Sequence, residues 1–300
     1  MSKPNFIVST DSSSDFLISE LKAIGVCCIT MKYIIDGKEI DGLYDSYDDF
    51  HAFYDTIKKG ALPTTTQTNE YEFTEYFEKI LKENPQGDII HLTISSGLSG
   101  TYFSGVAAVE KLNAKLKDRK IYLIDSLTVT VGLQMLVREA VRLRDLEVST
   151  AEALKGLESM IDHQHLWLLV DDLSHLKRGG RISGFKATVG ALLKVKPIIA
   201  VNSSGKLAKE NSIKGSKNAV HYILDRMKTY GEAVKSDFSR QTVYIIYAPP
   251  MDLCDYAIEC IRERWPQMDL REVVLGPIVG SHVGPGAVAV CFEGAERIKS

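Results

Sequence analysis

The sequence predicts a two-domain α/β protein whose N-terminal domain has a mostly parallel sheet with helices on both faces. Three short apolar, β-branched runs, at residues 5–10, 88–94 and 119–125, each lead into a stretch with helical periodicity. Strands that alternate with helices in this way form parallel sheets. A length of 300 residues gives enough chain for a second domain.

The remaining elements of the first half follow from periodicity and turn signals. The run at residues 26–35 predicts one strand, which the Asp36-Gly37 turn joins to a hairpin partner. Helical patterns bounded by capping residues and glycines predict helices over residues 16–24, 47–57, 71–82, 106–116, 132–143 and 151–162.

The second half predicts an α/β domain with a mixed or antiparallel sheet. Strands are expected over residues 166–170, 195–201, 206–208, 243–247, 270–275 and 287–292, and helices over residues 217–229 and 252–264. The sequence NSSG at 202–205 is typical of a hairpin, so the two strands beside it should be antiparallel. Residues 276–286, rich in glycine and proline, are predicted to form a loop. We place the domain boundary between residues 148 and 165, which divides the chain into domains 1–155 and 156–300.

Hydroxyl side chains cluster where three of the predicted strands end. The turns at residues 11–15, 95–102 and 125–130 each join a strand to a helix and are rich in serine or threonine. Parallel strands place their carboxyl ends at one edge of the sheet, where ligands of such sheets bind. Helix N-termini present unpaired N–H groups there, so the turns are suited to an anionic group. The simpler interpretation of any one turn is that its hydroxyls cap the helix.

Composition and motif content argue against several classes of protein. A net charge of −3 and a pI near 6.2, with no long basic block, give no overall attraction to nucleic acid. The five cysteines include no C-x-x-C pair, so neither a disulfide framework nor a metal site is expected. No transmembrane segment or signal peptide is expected, which points to the cytoplasm. A P-loop is absent, so the chain is expected to have no nucleotide site of its own.

Six short phrases in this sequence together resemble the signature of the DegV family. They are TDS at 10–12, PTTTQ at 63–67, SSGLSGTY at 95–102, RGGRI at 178–182, KP at 196–197 and GSHVGPG at 280–286. Each phrase alone is weak, but six in the right order along the whole chain are specific. One departure is Thr66, where the family more often has serine, and threonine keeps the hydroxyl.

The resemblance implies a protein that binds one long-chain fatty acid, with the tail in an apolar tunnel and the carboxylate near the domain boundary. Carried over residue by residue, the carboxylate ligands are Thr65, Ser96 and His282, with Ser95 as a neighbouring candidate. His282 could act as a neutral N–H donor or as an imidazolium counter-charge. The resemblance implies no catalytic residue, no metal and no cofactor besides the bound fatty acid.

The resemblance also implies a role in bacterial phospholipid metabolism. Characterised members of the family are the acyl-carrying subunits of a fatty acid kinase, and they present the carboxyl group to a separate ATP-binding kinase subunit that makes acyl phosphate. We therefore expect a cytoplasmic, substrate-presenting protein that is not itself an enzyme, with transient membrane contact. The alternative is an enzyme or a sensor that acts on a small phosphorylated or carboxylated metabolite at the same site.

Arg178 and Arg181 in the RGGR phrase have two interpretations. They are either solvated charges on a glycine-rich loop or forked donors that meet phosphate or an acidic partner surface. On the second interpretation, Arg181→Ala should lower phosphate transfer with the kinase subunit and leave lipid affinity nearly unchanged.

Overall fold

A computed structural model describes residues 5–182, 195–234 and 238–297 of the chain. Ser183 and Gly184, which follow the RGGRI phrase in the sequence, lie outside the described residues. In chain order the strands are β1 (Phe6–Asp11), β2 (Cys27–Ile29), β3 (Lys32–Ile35), β4 (Lys38–Asp41), β5 (Thr64–Thr65), β6 (Asp88–Thr93), β7 (Ile121–Asp125), β8 (Gln164–Leu169), β9 (Val195–Val201), β10 (Leu207–Lys214), β11 (Thr242–Tyr247), β12 (Asp269–Val274) and β13 (Val288–Glu293). The α-helices are α1 (Ile18–Ala23), α2 (Tyr47–Lys58), α3 (Glu70–Glu83), α4 (Thr101–Asn113), α5 (Val131–Asp145), α6 (Thr150–His163), α7 (Ser174–Arg178), α8 (Ser216–Glu232), α9 (Asp252–Arg264) and α10 (Pro277–Val283).

The N-terminal sheet has the predicted parallel arrangement. Its strands lie in the order β2-β1-β6-β7, and every neighbouring pair is parallel. Helices α3 and α4 cover one face through residues such as Phe73, Phe77 and Leu112. Helices α1, α5 and α6 cover the other face, where Leu136 and Leu157 are buried. The prediction of helices on both faces is therefore confirmed.

The C-terminal sheet is mixed, as predicted. Its order is β10-β9-β8-β13-β11-β12, in which β11 and β12 are parallel and the other neighbours are antiparallel. Helix α6 packs on the N-terminal core, and β8 begins at the next residue in the C-terminal sheet. The chain thus passes between the two sheets at His163 and Gln164.

The prediction of a single strand over residues 26–35 is wrong. The segment forms two strands that belong to different sheets, because β2 pairs with β1 while β3 pairs with β4 and β5 in a small antiparallel sheet. Between them, the Met31 N–H donates to the Ser12 hydroxyl oxygen at 2.9 Å instead of extending the strand pairing. The hairpin at Asp36-Gly37 is present, and both residues have positive φ angles, as a tight hairpin turn requires.

The prediction of a loop over residues 276–286 is also wrong, because most of this segment forms α10. Gly276 precedes the helix and Pro277 occupies its first turn, a position that suits the fixed φ of proline. A Cβ added to Gly280 would lie 2.4 Å from the Tyr54 hydroxyl oxygen, so the small residue lets α10 pack closely on α2. His282 is therefore held on a packed helix.

Arg297 joins three segments at the boundary between the two sheets. Its guanidinium donates to the carbonyl oxygens of Leu127, Asn202 and Ile161 at 3.0, 3.1 and 2.8 Å. These carbonyls belong to the turn after β7, the β9–β10 hairpin and α6. The contacts fix the turn at residues 125–130 against the C-terminal sheet.

Candidate functional site

An apolar cavity lies between the carboxyl edge of the N-terminal sheet and one face of the C-terminal sheet. It measures about 780 Å³ including its opening to solvent. Its floor consists of side chains from three neighbouring strands and the residues that adjoin them, namely Leu166, Leu168, Ile246, Ala248, Ala287 and Ala289.

The floor is deep because β13, the central of the three strands, carries small residues there. Ala289 of β13 pairs with Leu168 of β8 on one side and with Ile246 of β11 on the other. Directly paired residues of antiparallel strands point to the same face, so these three side chains form one row. Because alanine stands between two larger residues, the row leaves space for a ligand above β13.

The polar side chains of the lining carry little charge. They are Thr65, Ser99, Thr130, Arg181, Tyr247 and His282, and within the described residues no Asp or Glu lines the cavity. In the same part of the chain, no group of three or more His, Cys, Asp or Glu side chains is placed to hold a metal ion. The cavity therefore suits a mostly apolar ligand with one anionic or neutral polar group.

Thr65 and His282, predicted as ligands of the same carboxylate, lie side by side. Thr65 Oγ1 and His282 Nε2 are 2.8 Å apart, although the residues are 217 positions apart in the sequence. Thr65 is fixed by the pairing of β5 with β3, where it lies opposite Tyr33. Helix α10 holds His282 from the other side.

His282 is neutral at pH 7 in this structure. Burial, together with the smaller effects of the charges of Arg181 and Arg178, lowers the pKa of His282 to about 4. Its Nδ1 atom is buried without a hydrogen-bond partner among the described residues, and a Cβ added to Gly179 would lie 2.2 Å from it. An unpaired acceptor is less costly than an unpaired N–H, so the geometry favours a proton on Nε2. His282 then donates to Thr65, and the Thr65 O–H is free to donate to a ligand.

The two arginines of the RGGR phrase differ in position. Arg181 lines the cavity and donates through Nε to the Leu98 carbonyl oxygen at 3.1 Å. Burial lowers the pKa of Arg181, yet no carboxylate pairs with it within the residues that the structure describes. Arg178 is exposed, and its Nη2 lies 3.0 Å from His175 Nδ1. Arg181 thus gives the cavity its one cationic lining group among the described residues.

Ser95 and Ser96 do not line the cavity in this structure. The buried Ser95 hydroxyl donates to the Gly205 carbonyl oxygen at 2.8 Å and so joins the turn to the β9–β10 hairpin. Ser96 donates its backbone N–H to Asp125 Oδ1 at 3.0 Å. From the same hydroxyl turns, Ser99 and Thr130 reach the lining instead. Both belong to turns that the sequence marked, but the spacing did not show which hydroxyls face the ligand.

The three hydroxyl turns do share one edge of the sheet, as predicted, but the first turn serves the fold. Asp11 is fully buried, and its carboxylate accepts from the Ser13 N–H at 2.9 Å. It also accepts from the Thr93 hydroxyl at 2.6 Å and from the Ile94 N–H at 2.8 Å. Asp11 therefore ties the ends of β1 and β6 together beneath the cavity.

Comparison with known proteins gives one consistent result. The model of the DegV family, described as "Uncharacterised protein, DegV family", matches residues 5–295. A DegV domain-containing protein from Clostridium perfringens is 32% identical over 289 residues, which cover 96% of this chain and 97% of the relative. No helix in the described part of the chain combines the length and hydrophobicity needed to cross a bilayer.

Solved structures with the same fold include proteins that bind fatty acids. DegV from Bacillus subtilis, a fatty acid binding protein, is 26% identical, with a TM-score of 0.81 over 97% of this chain and 100% of that chain. A fatty acid binding DegV family protein from Streptococcus agalactiae is 22% identical, with a TM-score of 0.82 over 98% and 100% of the two chains. At that identity, the second structure supports the fold alone.

Proposed function

This chain belongs to the DegV family, and from that premise we propose that it binds one long-chain fatty acid. The tail would fill the apolar cavity, and the carboxylate would lie against Thr65, His282 and Arg181. The observation that carries the proposal is the Thr65–His282 pair at one side of a mostly apolar cavity without an acidic lining residue in the described part of the chain. The Bacillus subtilis relative, a fatty acid binding protein, supports the same ligand class.

The tail would supply most of the affinity. A sixteen-carbon acid would bury roughly fifteen carbons, and at about 0.8 kcal/mol each their transfer from water contributes on the order of 12 kcal/mol before ordering costs. The head group needs hydrogen-bond partners because an unpaired carboxylate inside protein is costly. Thr65 and Arg181 each have a donor to offer. Ser96 and Ser95, which the family also implies, would reach the carboxylate only if their turn shifted.

Mass spectrometry of the purified protein tests this proposal. Native spectra should show one added mass equal to that of a long-chain fatty acid, and denaturation of the same sample should release it. A bare protein that also takes up no added fatty acid would contradict the proposal. The ligand would then be sought among small phosphorylated or carboxylated metabolites, for an enzyme or a sensor.

Thr65→Val should weaken fatty acid binding about tenfold to a hundredfold, because it removes a hydrogen bond to a charged group. His282→Ala should have a similar effect, since it removes the partner that orients Thr65. Displacement of a fluorescent fatty acid measures both changes. Thr66→Val is the matched control, because the Thr66 hydroxyl faces the Lys32 carbonyl oxygen at 3.4 Å and does not line the cavity. Equal affinities in the Thr65 and Thr66 variants would remove Thr65 from the site.

We also propose that the bound acid is presented to a separate ATP-binding kinase subunit in the bacterial cytoplasm. A carboxylate oxygen attacks the γ-phosphorus of ATP, the bond from that phosphorus to the bridging oxygen breaks, and ADP and acyl phosphate result. The partner would supply the ATP-binding site, because the sequence of this chain contains no P-loop. Loading and release of the acyl chain would involve transient contact with a membrane.

The position of Arg181 changes the expected effects of the arginine variants. Arg181 lines the cavity, so Arg181→Ala should weaken lipid binding as well as phosphate transfer. The exposed Arg178 has no place in the lining, so Arg178→Ala should slow transfer about tenfold and change lipid affinity by less than twofold. The rate at which labelled phosphate is transferred from ATP, measured with the kinase subunit present, checks the slower transfer expected of Arg178→Ala. Normal transfer by Arg178→Ala would show that this side chain is a solvated charge.

A further inference from the structure

Thr130 is a polar residue of the cavity that the carboxylate site does not use. It lines the cavity at the N-terminus of α5, and only 2% of it is exposed to solvent. Its hydroxyl oxygen is buried and has no hydrogen-bond partner among the described residues. Buried hydroxyls in native proteins nearly always have a partner, so this one calls for a ligand or another explanation.

The backbone at Thr130 is strained. Its φ of 54° and ψ of −127° lie where β-branched residues are rarely found and where glycine would be relaxed. Two backbone hydrogen bonds hold this conformation, from Thr130 N–H to the Ser13 carbonyl oxygen and from Gln134 N–H to the Thr130 carbonyl oxygen, both at 3.0 Å. Such strain persists at sites where it serves a function.

The Thr130 hydroxyl also does not cap its helix. Thr130 is the N-cap residue of α5, where a threonine side chain normally accepts a hydrogen bond from the first turn of the helix. No such bond is present. Thr130 is thus a lining residue of the cavity whose hydroxyl makes no hydrogen bond to its own helix.

Thr130 lies toward the part of the cavity that the acyl tail would fill. The floor strand begins beside Ala287, close to α10 and His282, and Cys291 lies about 13 Å farther along β13. The sulfur of Met135 in α5 is 3.7 Å from the sulfur of Cys291. Thr130 precedes Met135 by about 7.5 Å of helix. Leu127 of the same turn accepts a hydrogen bond from Arg297, which follows β13 beyond Cys291, so Thr130 lies on the Cys291 side of the cavity.

We propose that Thr130 forms a second polar subsite, which receives a hydroxyl or oxo group on the acyl chain of the bound fatty acid. This inference rests on the proposed fatty acid binding. A threonine hydroxyl both donates and accepts, so it can pair with either substituent. A second carboxylate is a poor fit, because the cationic lining residue, Arg181, stands with the head-group pair. The protein would therefore accept oxygenated long-chain fatty acids that an apolar cavity rejects.

Binding of three acids tests the inference: octadecanoic, 10-hydroxyoctadecanoic and 12-hydroxyoctadecanoic acid. The measured quantity is the ratio of the Kd of each hydroxy acid to that of octadecanoic acid. Thr130→Val keeps the shape of the side chain and removes the hydroxyl, so it should raise this ratio about tenfold for at least one hydroxy acid. Thr130→Ser should restore the wild-type ratio.

The same Kd ratio serves for the control variant and for the result that would overturn the inference. Thr128→Val removes a buried hydroxyl of the same turn that does not line the cavity, so its ratios should equal those of the wild type. If the Kd ratios of Thr130→Val stay within twofold of the wild-type ratios, the subsite is overturned. This includes the case in which the variant binds all three acids more weakly by the same factor. Failure of octadecanoic acid to bind the wild-type protein would instead overturn the proposed function.

Discussion

Replacing Ala289 with leucine should shift the preference of the protein toward shorter fatty acids. Ala289 lies at the centre of the cavity floor, between Leu168 and Ile246, and is 5% exposed. Leucine adds three carbons to the floor, which displace about three methylenes of the bound tail. At about 0.8 kcal/mol each, the loss is about 2.4 kcal/mol, or roughly fiftyfold in affinity for an acid that fills the cavity.

Titration with a series of saturated acids of twelve to eighteen carbons checks this prediction. The loss should be largest for the longest acid and small for an acid that ends before the new side chain. Val290→Leu is the control, because Val290 lies on the opposite face of β13 beside a small void lined by Leu169 and Val220. It adds bulk to the same strand without entering the cavity. A loss that is equal across the series would mean that the tail does not pass over Ala289.

The floor illustrates what the sequence could and could not predict. Periodicity alone placed elements such as α9 correctly over Asp252–Arg264, because an amphipathic helix carries its pattern locally. Strand partners are chosen over long distances, so the run at residues 26–35 gave no sign that it serves two sheets. Helix α10 lies in a glycine-rich segment and packs on Tyr54 through Gly280, a contact that no local pattern reveals.

The site shows the same division between local and distant causes. The sequence marked the hydroxyl turns, and family resemblance marked Thr65 and His282, which the structure brings within hydrogen-bond distance. The sequence did not show which of these hydroxyls line the cavity. Ser95 is engaged by Gly205, 110 residues away, so its neighbour Ser99 lines the cavity instead.

Asp11→Asn should cost about 3 kcal/mol of folding free energy, the largest stability effect that we expect from a single polar change at this edge. Both carboxylate oxygens accept a backbone N–H, one from Ser13 and one from Ile94. An asparagine offers one oxygen and one NH₂ group, so one of the two buried N–H groups would face another donor. An unsatisfied buried donor costs about 1–3 kcal/mol, and the Thr93 or Ser13 hydroxyl loses its acceptor as well.

Urea unfolding of the ligand-free protein measures this loss, and Asp172→Asn supplies the matched control. Asp172 also accepts from the N–H and hydroxyl of a serine two positions later, Ser174, but at an exposed site. Water can replace those bonds, so the control should lose less than about 1 kcal/mol. Because Ile94 lines the cavity, Asp11→Asn should also weaken fatty acid binding. Equal, small losses in both variants would show that Asp11 is not what holds the ends of β1 and β6 together beneath the ligand.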